Sequence, residues 1–205
     1  MIKHIWFDLS GTLTEINKVK HDELRYSAYS KIVKKPLDSK LADEYQKLLA
    51  DKGSNAAVFR SLGLRGDFWG KIIESADVKN LYFLLDPKVP EVLLKLKAVV
   101  PISLFTNIRA EKVLNSVGIR PDWFTYIIQA GDIMEPKPAL EGFKKIVELT
   151  KTLPSEILYV GDSEVKDILP AKSVGMKTCL MWANSREADY CYKDFKQLVS
   201  LMTNL

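Results

Sequence analysis

The 205-residue sequence predicts an α/β protein, a parallel sheet with helices on its faces that is interrupted once by an inserted helical domain. Three observations predict it. Short apolar runs of strand length recur along the chain. Stretches of helical period separate them. The first and second runs lie much farther apart than the ~10–12 residues a simple crossover needs. Alternating strand and helix gives a parallel sheet with right-handed crossovers. Ligands of such sheets bind beyond the carboxyl ends of the strands, where the strand order reverses.

The first predicted strand is residues 2–7, and the insertion follows it at residues 15–85. There Leu37, Leu41, Tyr45 and Leu48 recur at helical spacing before Gly53, and Val58, Phe59 and Leu62 precede Gly63. Asp67 is placed to cap a helix carrying Trp69, Ile72 and Ile73. At that spacing Trp69 reads as core of the insertion, with a substrate contact by Phe68 and Trp69 as the alternative. Residues 86–90 form the return, and Pro90 opens a helix that runs to residue 98. Strands are predicted at 99–105, 124–129, 157–160 and 177–181. Helices are predicted at 110–117, 139–150 and 165–174. The expected domains are thus a core of residues 1–14 and 86–205 and a helical domain of residues 15–85, with Thr14 and Glu15 near the hinge.

Composition narrows the function. The chain is 47% hydrophobic and 27% charged with a formal net charge of +4, which fits a soluble protein with a buried core. Its lysines are scattered and form no basic run, so no nucleic-acid partner is expected. No apolar stretch reaches the ~18 residues of a membrane span, and the N-terminus is too short for a signal peptide. A cytoplasmic protein without a membrane partner is the expectation. Cys179 and Cys191 form no metal-ligand pair, and Cys179 reads as core. With His4 and His21 the only histidines, a multi-histidine metal site and a histidine-based triad are set aside.

Four short motifs fall at the carboxyl ends of predicted strands. The first is Asp8-Leu9-Ser10-Gly11-Thr12, where an apolar strand delivers Asp8 to the sheet edge and Gly11 permits a sharp turn. The second is Thr106-Asn107, with a hydroxyl able to donate to a phosphoryl oxygen. The third is Glu135-Pro136-Lys137-Pro138, a cation on a segment stiffened by two prolines. The fourth is Gly161-Asp162-Ser163 with Asp167 five residues beyond Asp162, a pair of carboxylates of the kind that holds Mg²⁺. Taken singly, each has an ordinary alternative: a turn aspartate, a helix N-cap, a surface lysine, a first-turn acid facing the helix dipole. Their order on one sheet edge does not.

In these four motifs the sequence resembles the haloacid dehalogenase (HAD) superfamily. The stretches Ala171-Lys172-Ser173-Val174-Gly175 and Ala188-Asp189-Tyr190, the latter before a helix with Phe195 and Leu198, are similar to the family's later passages. The resemblance implies a Rossmann-like, HAD-like core with a helical cap inserted between the first and second motifs. It implies a phosphatase acting on a small phosphorylated substrate. Asp8 would be the nucleophile. Thr106, Asn107 and Lys137 would hold phosphate. Mg²⁺ would lie on Asp8, Asp162, Asp167 and the backbone carbonyl of Ser10.

Ser10 departs from the family pattern. The family's usual residue there is an aspartate that protonates the leaving oxygen and then activates water. A serine hydroxyl is too weakly acidic for this, and general acid–base catalysis contributes ~10²–10⁴-fold. The first motif is similar to that of superfamily phosphatases acting on phosphohistidine, phospholysine and pyrophosphate, whose cap is inserted elsewhere. Substrates whose leaving group needs little protonation, such as acyl phosphates and phosphoramidates, are therefore expected. The alternatives are a catalytically weak or inactive phosphate-binding relative, a dehalogenase, and a phosphonate hydrolase. The last would need a lysine of the insertion such as Lys18, Lys20 or Lys52.

Overall fold

The computed structural model describes residues 1–77 and 80–203. The chain divides into two compact units, Met1–Glu15 with Phe83–Leu205, and Ile16–Tyr82.

The first unit is built on six strands: β1 (His4–Phe7), β4 (Ile102–Phe105), β5 (Ile127–Ile128), β6 (Ile157–Gly161), β7 (Lys177–Met181) and β8 (Tyr190–Tyr192). They pair in the order β5-β4-β1-β6-β7-β8, every pair parallel. The chain runs outward from β1 through β4 to β5, then returns to the other side of β1 as β6. β1 is thus the switch point, with one strand of each half on either side of it. Phe7 lies beside Leu104 of β4 and Val160 of β6, which puts Asp8, Thr106 and Asp162 just past three adjacent strand ends.

The sheet buries both faces. On one, Trp6, Phe105, Ile128, Ile157 and Tyr159 pack with Phe143 and Ile146 of α7 (Leu140–Thr150) and Ala171 of α8 (Leu169–Ser173). Gly142 lets α7 lie directly on β4, since a Cβ there would collide with the Phe105 ring. On the other face Phe7 stacks on Phe195, which precedes α9 (Gln197–Thr203). Helices α5 (Val89–Lys97) and α6 (Glu111–Ser116) complete the unit.

The observed strands are shorter than the apolar runs. Val99 is exposed, and the backbone N–H groups of Val99 and Val100 bond back to Leu96 to close α5, so β4 starts only after Pro101. Phe124 ends a 3₁₀ turn over Pro121–Trp123 before β5 begins. The helix expected at 165–174 is a single π-helical turn, Glu164–Ile168, running into α8. The N–H groups of Ile168 and Leu169 reach five residues back, to Ser163 and Glu164, and Pro170 has no N–H to restore the α ladder. β8 occupies Tyr190–Tyr192, and the terminal helix begins only after Phe195.

The second unit is helical: α1 (Lys18–Val33), α2 (Ser39–Lys52), α3 (Asn55–Ser61) and α4 (Phe68–Ser75). Asn17, Asp38 and Ser54 cap the first three through their side-chain oxygens. Tyr29, Leu41, Tyr45, Val58 and Phe59 form its core. Phe68 and Trp69 both pack on the Phe59 ring. Asp67 makes no side-chain cap of α4; its carboxylate pairs with Lys71 at 2.9 Å and Arg65 at 3.4 Å instead. A separate two-stranded sheet, β2 (Thr14–Ile16) with β3 (Tyr82–Leu84), falls where the chain passes between the units.

Candidate active site

Asp8 is the first residue past β1, and its N–H continues the ladder to Val160 O at 2.9 Å. Its carboxylate is buried inside the sheet edge. The chain then turns tightly, Leu13 and Thr14 donating to Leu9 O and Gly11 to Thr14 O. Gly11 holds φ +91° and lies so close to the Asp162 carboxylate that any Cβ would collide with it. Glycine is required there on both counts. Thr12, fully buried on this turn, points its hydroxyl at Asp8 Oδ2 (3.4 Å) and Asp162 Oδ1 (3.3 Å). Ser10 is exposed at the turn, with an isolated bridge to Thr14.

Lys137 sits in an exposed loop, yet its own side chain is buried. Its Nζ donates to Asp8 Oδ1 at 2.7 Å, Asp167 Oδ1 at 2.7 Å and the Tyr159 hydroxyl at 3.1 Å. The ammonium also lies over the rings of Phe105 and Tyr159. Asn107 explains how the loop is held. Its amide accepts from Lys137 N (2.8 Å) and donates to Lys137 O (3.1 Å), gripping that residue from both sides. Glu141 receives the N–H groups of Met134 and Glu135 just upstream. The Lys137–Pro138 peptide is cis. Both polar atoms of the Asn107 side chain are thus engaged by the Lys137 backbone. Thr106 is buried at the end of β4, and its Oγ1 accepts from Ile108 N at 3.3 Å.

Asp162 follows β6 directly and Asp167 lies in the π turn. Ser163 caps the turn by accepting from Lys166 N, and Asp167 Oδ2 accepts in return from Ser163 N at 3.1 Å. Gly161 makes this fold-back possible, because the Asp167 side chain occupies the space its Cβ would need. One ligand oxygen each of Asp8, Asp162 and Asp167 lie within 4.8 Å of one another.

The electrostatics follow from this crowding. Burial pushes the Asp8 carboxyl up to about 7; Lys137 opposes the shift and Asp167 adds to it. Burial and Asp167 likewise raise Asp162. Burial works against the charge on Lys137, but Asp8 and Asp167 override it and hold its pKa above the ordinary value. Burial, with Asp167 and Asp8, drives Tyr159 far up, so its hydroxyl keeps its proton. Three carboxylates against one ammonium leave two uncompensated negative charges if all ionise. An all-oxygen donor set of that charge fits a hard divalent cation.

This arrangement can be set beside known proteins. A model of the haloacid dehalogenase-like hydrolases matches residues 2–175. The chain belongs to this family. The HAD chain is 30% identical to the glyceraldehyde 3-phosphate phosphatase of Methanocaldococcus jannaschii, over 100% of this chain and 99% of the relative. It is 28% identical to the protein of that name in Pyrococcus furiosus, over 97% of this chain and 88% of the relative. Among solved structures, the HAD phosphatase of Thermococcus onnurineus superposes with a TM-score of 0.79 at 20% identity, covering 98% of each chain. The chain is accordingly a HAD-like hydrolase of the phosphatase kind, on a Rossmann-like sheet. No described helix is long and apolar enough to cross a membrane.

Two further side chains of this HAD core, Thr12 and Tyr159, touch the carboxylates. Thr12 was visible only as part of the first motif. Tyr159 looked like one more apolar residue of a buried strand, and nothing in the linear sequence shows its hydroxyl between Lys137 and Asp167.

Proposed function

We propose that the protein is a Mg²⁺-dependent phosphatase or phosphotransferase in which Asp8 attacks phosphorus and carries the phosphoryl group as an aspartyl phosphate. One observation carries this reading: a buried strand-end carboxylate, Asp8, is held by Lys137 within an oxygen cluster completed by Asp162 and Asp167. Asp8, Asp162, Asp167 and the Ser10 carbonyl are the groups assigned to Mg²⁺. Bound there, the ion would neutralise charge on the transferring phosphoryl oxygens. Lys137 keeps Asp8 oriented and supplies a fixed positive charge at the same place. Thr106 offers a hydroxyl at the neighbouring strand end. Asn107 is assigned to phosphate beside Thr106 and Lys137, and its side chain grips the Lys137 peptide. We assign the helical unit the role of specificity cap.

Ser10 shapes the substrate reading. With no carboxylic acid there, leaving groups that need no protonation are favoured, so acyl phosphates and phosphoramidates head the list. Two relatives are named for glyceraldehyde 3-phosphate, an alkyl phosphate, which makes it the discriminating comparison. Ser10 also favours a second reading, a phosphate-binding HAD relative with little turnover.

The test is phosphate release from acetyl phosphate, p-nitrophenyl phosphate and glyceraldehyde 3-phosphate, with Mg²⁺ and with chelator. Release that needs the metal and disappears in Asp8→Asn is expected, fastest from acetyl phosphate. A wide preference for glyceraldehyde 3-phosphate would overturn the acyl-phosphate assignment. A folded, Mg²⁺-binding protein that releases nothing would favour the second reading.

A further inference from the structure

The aromatic cluster beneath the site is made of Phe105, Phe143 and Tyr159, packed edge to face or tilted at centroid distances of 5.1–6.5 Å. Two of the three are phenylalanine. As far as packing goes a third would serve, so the Tyr159 hydroxyl is an added polar group in a fully buried position. Such a group is costly unless it is bonded. Both bonds it makes go to the site: it accepts from Lys137 Nζ at 3.1 Å and donates to Asp167 Oδ1 at 3.2 Å.

Strand geometry explains how a residue three positions before Asp162 reaches this far. Side chains alternate along β6, so Ile157, Tyr159 and Gly161 share a face. Gly161 has no side chain, and Asp167 fills the volume its Cβ would take. Asp167 is thereby placed on the Tyr159 face of the strand, and the hydroxyl reaches its Oδ1 at 3.2 Å. The hydroxyl then closes a triangle. Lys137 and Tyr159 both donate to the same atom, Asp167 Oδ1, and Lys137 also donates to Tyr159. Asp167 and Lys137 come from different segments, the π turn after β6 and the loop before α7. The triangle is what fixes these two segments to each other from beneath.

We infer that Tyr159 is a positioning residue: its hydroxyl orients Asp167 as a metal ligand and holds Lys137 against it. The inference rests on the metal reading proposed above. Partners of this kind, one shell out from a metal ligand, commonly change metal affinity by ~10–100-fold when removed.

The experiment is Mg²⁺ titration of metal-free protein by calorimetry, comparing wild type, Tyr159→Phe and Phe143→Leu. Tyr159→Phe removes one oxygen and keeps the ring. Phe143→Leu disturbs the same aromatic cluster and leaves the hydroxyl in place. The expected result is a Mg²⁺ Kd about tenfold weaker in Tyr159→Phe, with Phe143→Leu within twofold of wild type. A Kd in Tyr159→Phe within twofold of wild type would overturn the inference. So would equal weakening in both variants, which would trace the effect to packing, and so would a Tyr159→Phe protein that fails to fold. A wild type that binds no Mg²⁺ would remove the metal reading itself, and this inference with it.

Discussion

Ser10 and Asp8 sit two residues apart and pull the chemistry in different directions. Asp8 has what a nucleophile needs: burial, a lysine contact and a place at the switch point of the sheet. Ser10, exposed on the turn, brings no acid. Replacing it tests how much is missing: Ser10→Asp should raise turnover of p-nitrophenyl phosphate by ~10-fold or more, and an unchanged rate would mean another group already fills the role. The raised carboxyls make a second prediction. A carboxyl whose pKa rises on folding, as Asp8 does from the ordinary 3.8 to about 7, binds its proton more tightly in the folded state. Its stabilising contribution is complete below the unfolded value and is lost as pH rises through about 7. Without metal, wild type should therefore lose stability relative to Asp8→Asn between pH 4 and pH 7, measured as the difference in Tm. Saturating Mg²⁺ should reduce the loss, because it binds the ionised form. A wild type that gains on Asp8→Asn over that range would contradict the assignment. Much of this scale was legible in the sequence. Asp8, Lys137, Asp162 and Asp167 were each picked out by strand ends and motif order, and the structure brings their side chains together. The grip of Asn107 on Lys137 and the bond of Tyr159 to Asp167 were not legible, because they join residues 30 and 8 positions apart whose approach only the fold decides.

At the scale of elements, the site depends on loops held by side chains rather than by regular ladders. The Lys137 loop is gripped by Asn107, two residues past β4, and by Glu141 from the first turn of α7. Asn107→Ala should leave the fold intact and lower kcat by ~10-fold or more, since misplacing a reacting group by about 1 Å costs ~10²-fold. A kcat within twofold of wild type would show that the prolines alone fix the loop. Sequence periodicity found most of the helices and erred where local rules yield to tertiary ones. Val99 and Val100 are apolar, but their N–H groups close α5 instead of joining β4. Residues 164–168 have the composition of an ordinary helical turn, but Gly161 and Pro170 on either side allow a wider π turn that swings Asp167 back over the strand end. The short strand β8 left no signal, since three residues cannot establish an alternation.

For the whole molecule, the chain divides into a sheet unit that holds every residue proposed for nucleophile, phosphate and metal and a helical unit with a separate core. The long interval after β1 and the apolar spacing within it are the sequence signals for an inserted helical domain, while α1, with few strongly apolar positions on a regular stripe, gives no such signal. The separation predicts independent responses. Phe59 is fully buried in the helical core, and Phe59→Ala should destabilise that unit by ~3–5 kcal/mol. Mg²⁺ affinity should stay within twofold of wild type in calorimetry, because every proposed ligand is in the sheet unit. A variant that loses Mg²⁺ binding while the sheet unit remains folded would refute that independence.

The most direct test of the central claim is whether Asp8 becomes phosphorylated. An acyl phosphate needs no acid to leave, so the first half of the reaction should proceed, whereas the second half lacks the base that would activate water. Phosphorylated enzyme should therefore accumulate. Wild-type protein mixed with acetyl phosphate and Mg²⁺, quenched in acid and analysed by peptide mass spectrometry, should carry one phosphoryl group on Asp8. Chelator or Asp8→Asn should abolish it. Phosphate release by Asp8→Asn at the wild-type rate, with no phosphoryl group on the wild-type Asp8 peptide, would contradict the account.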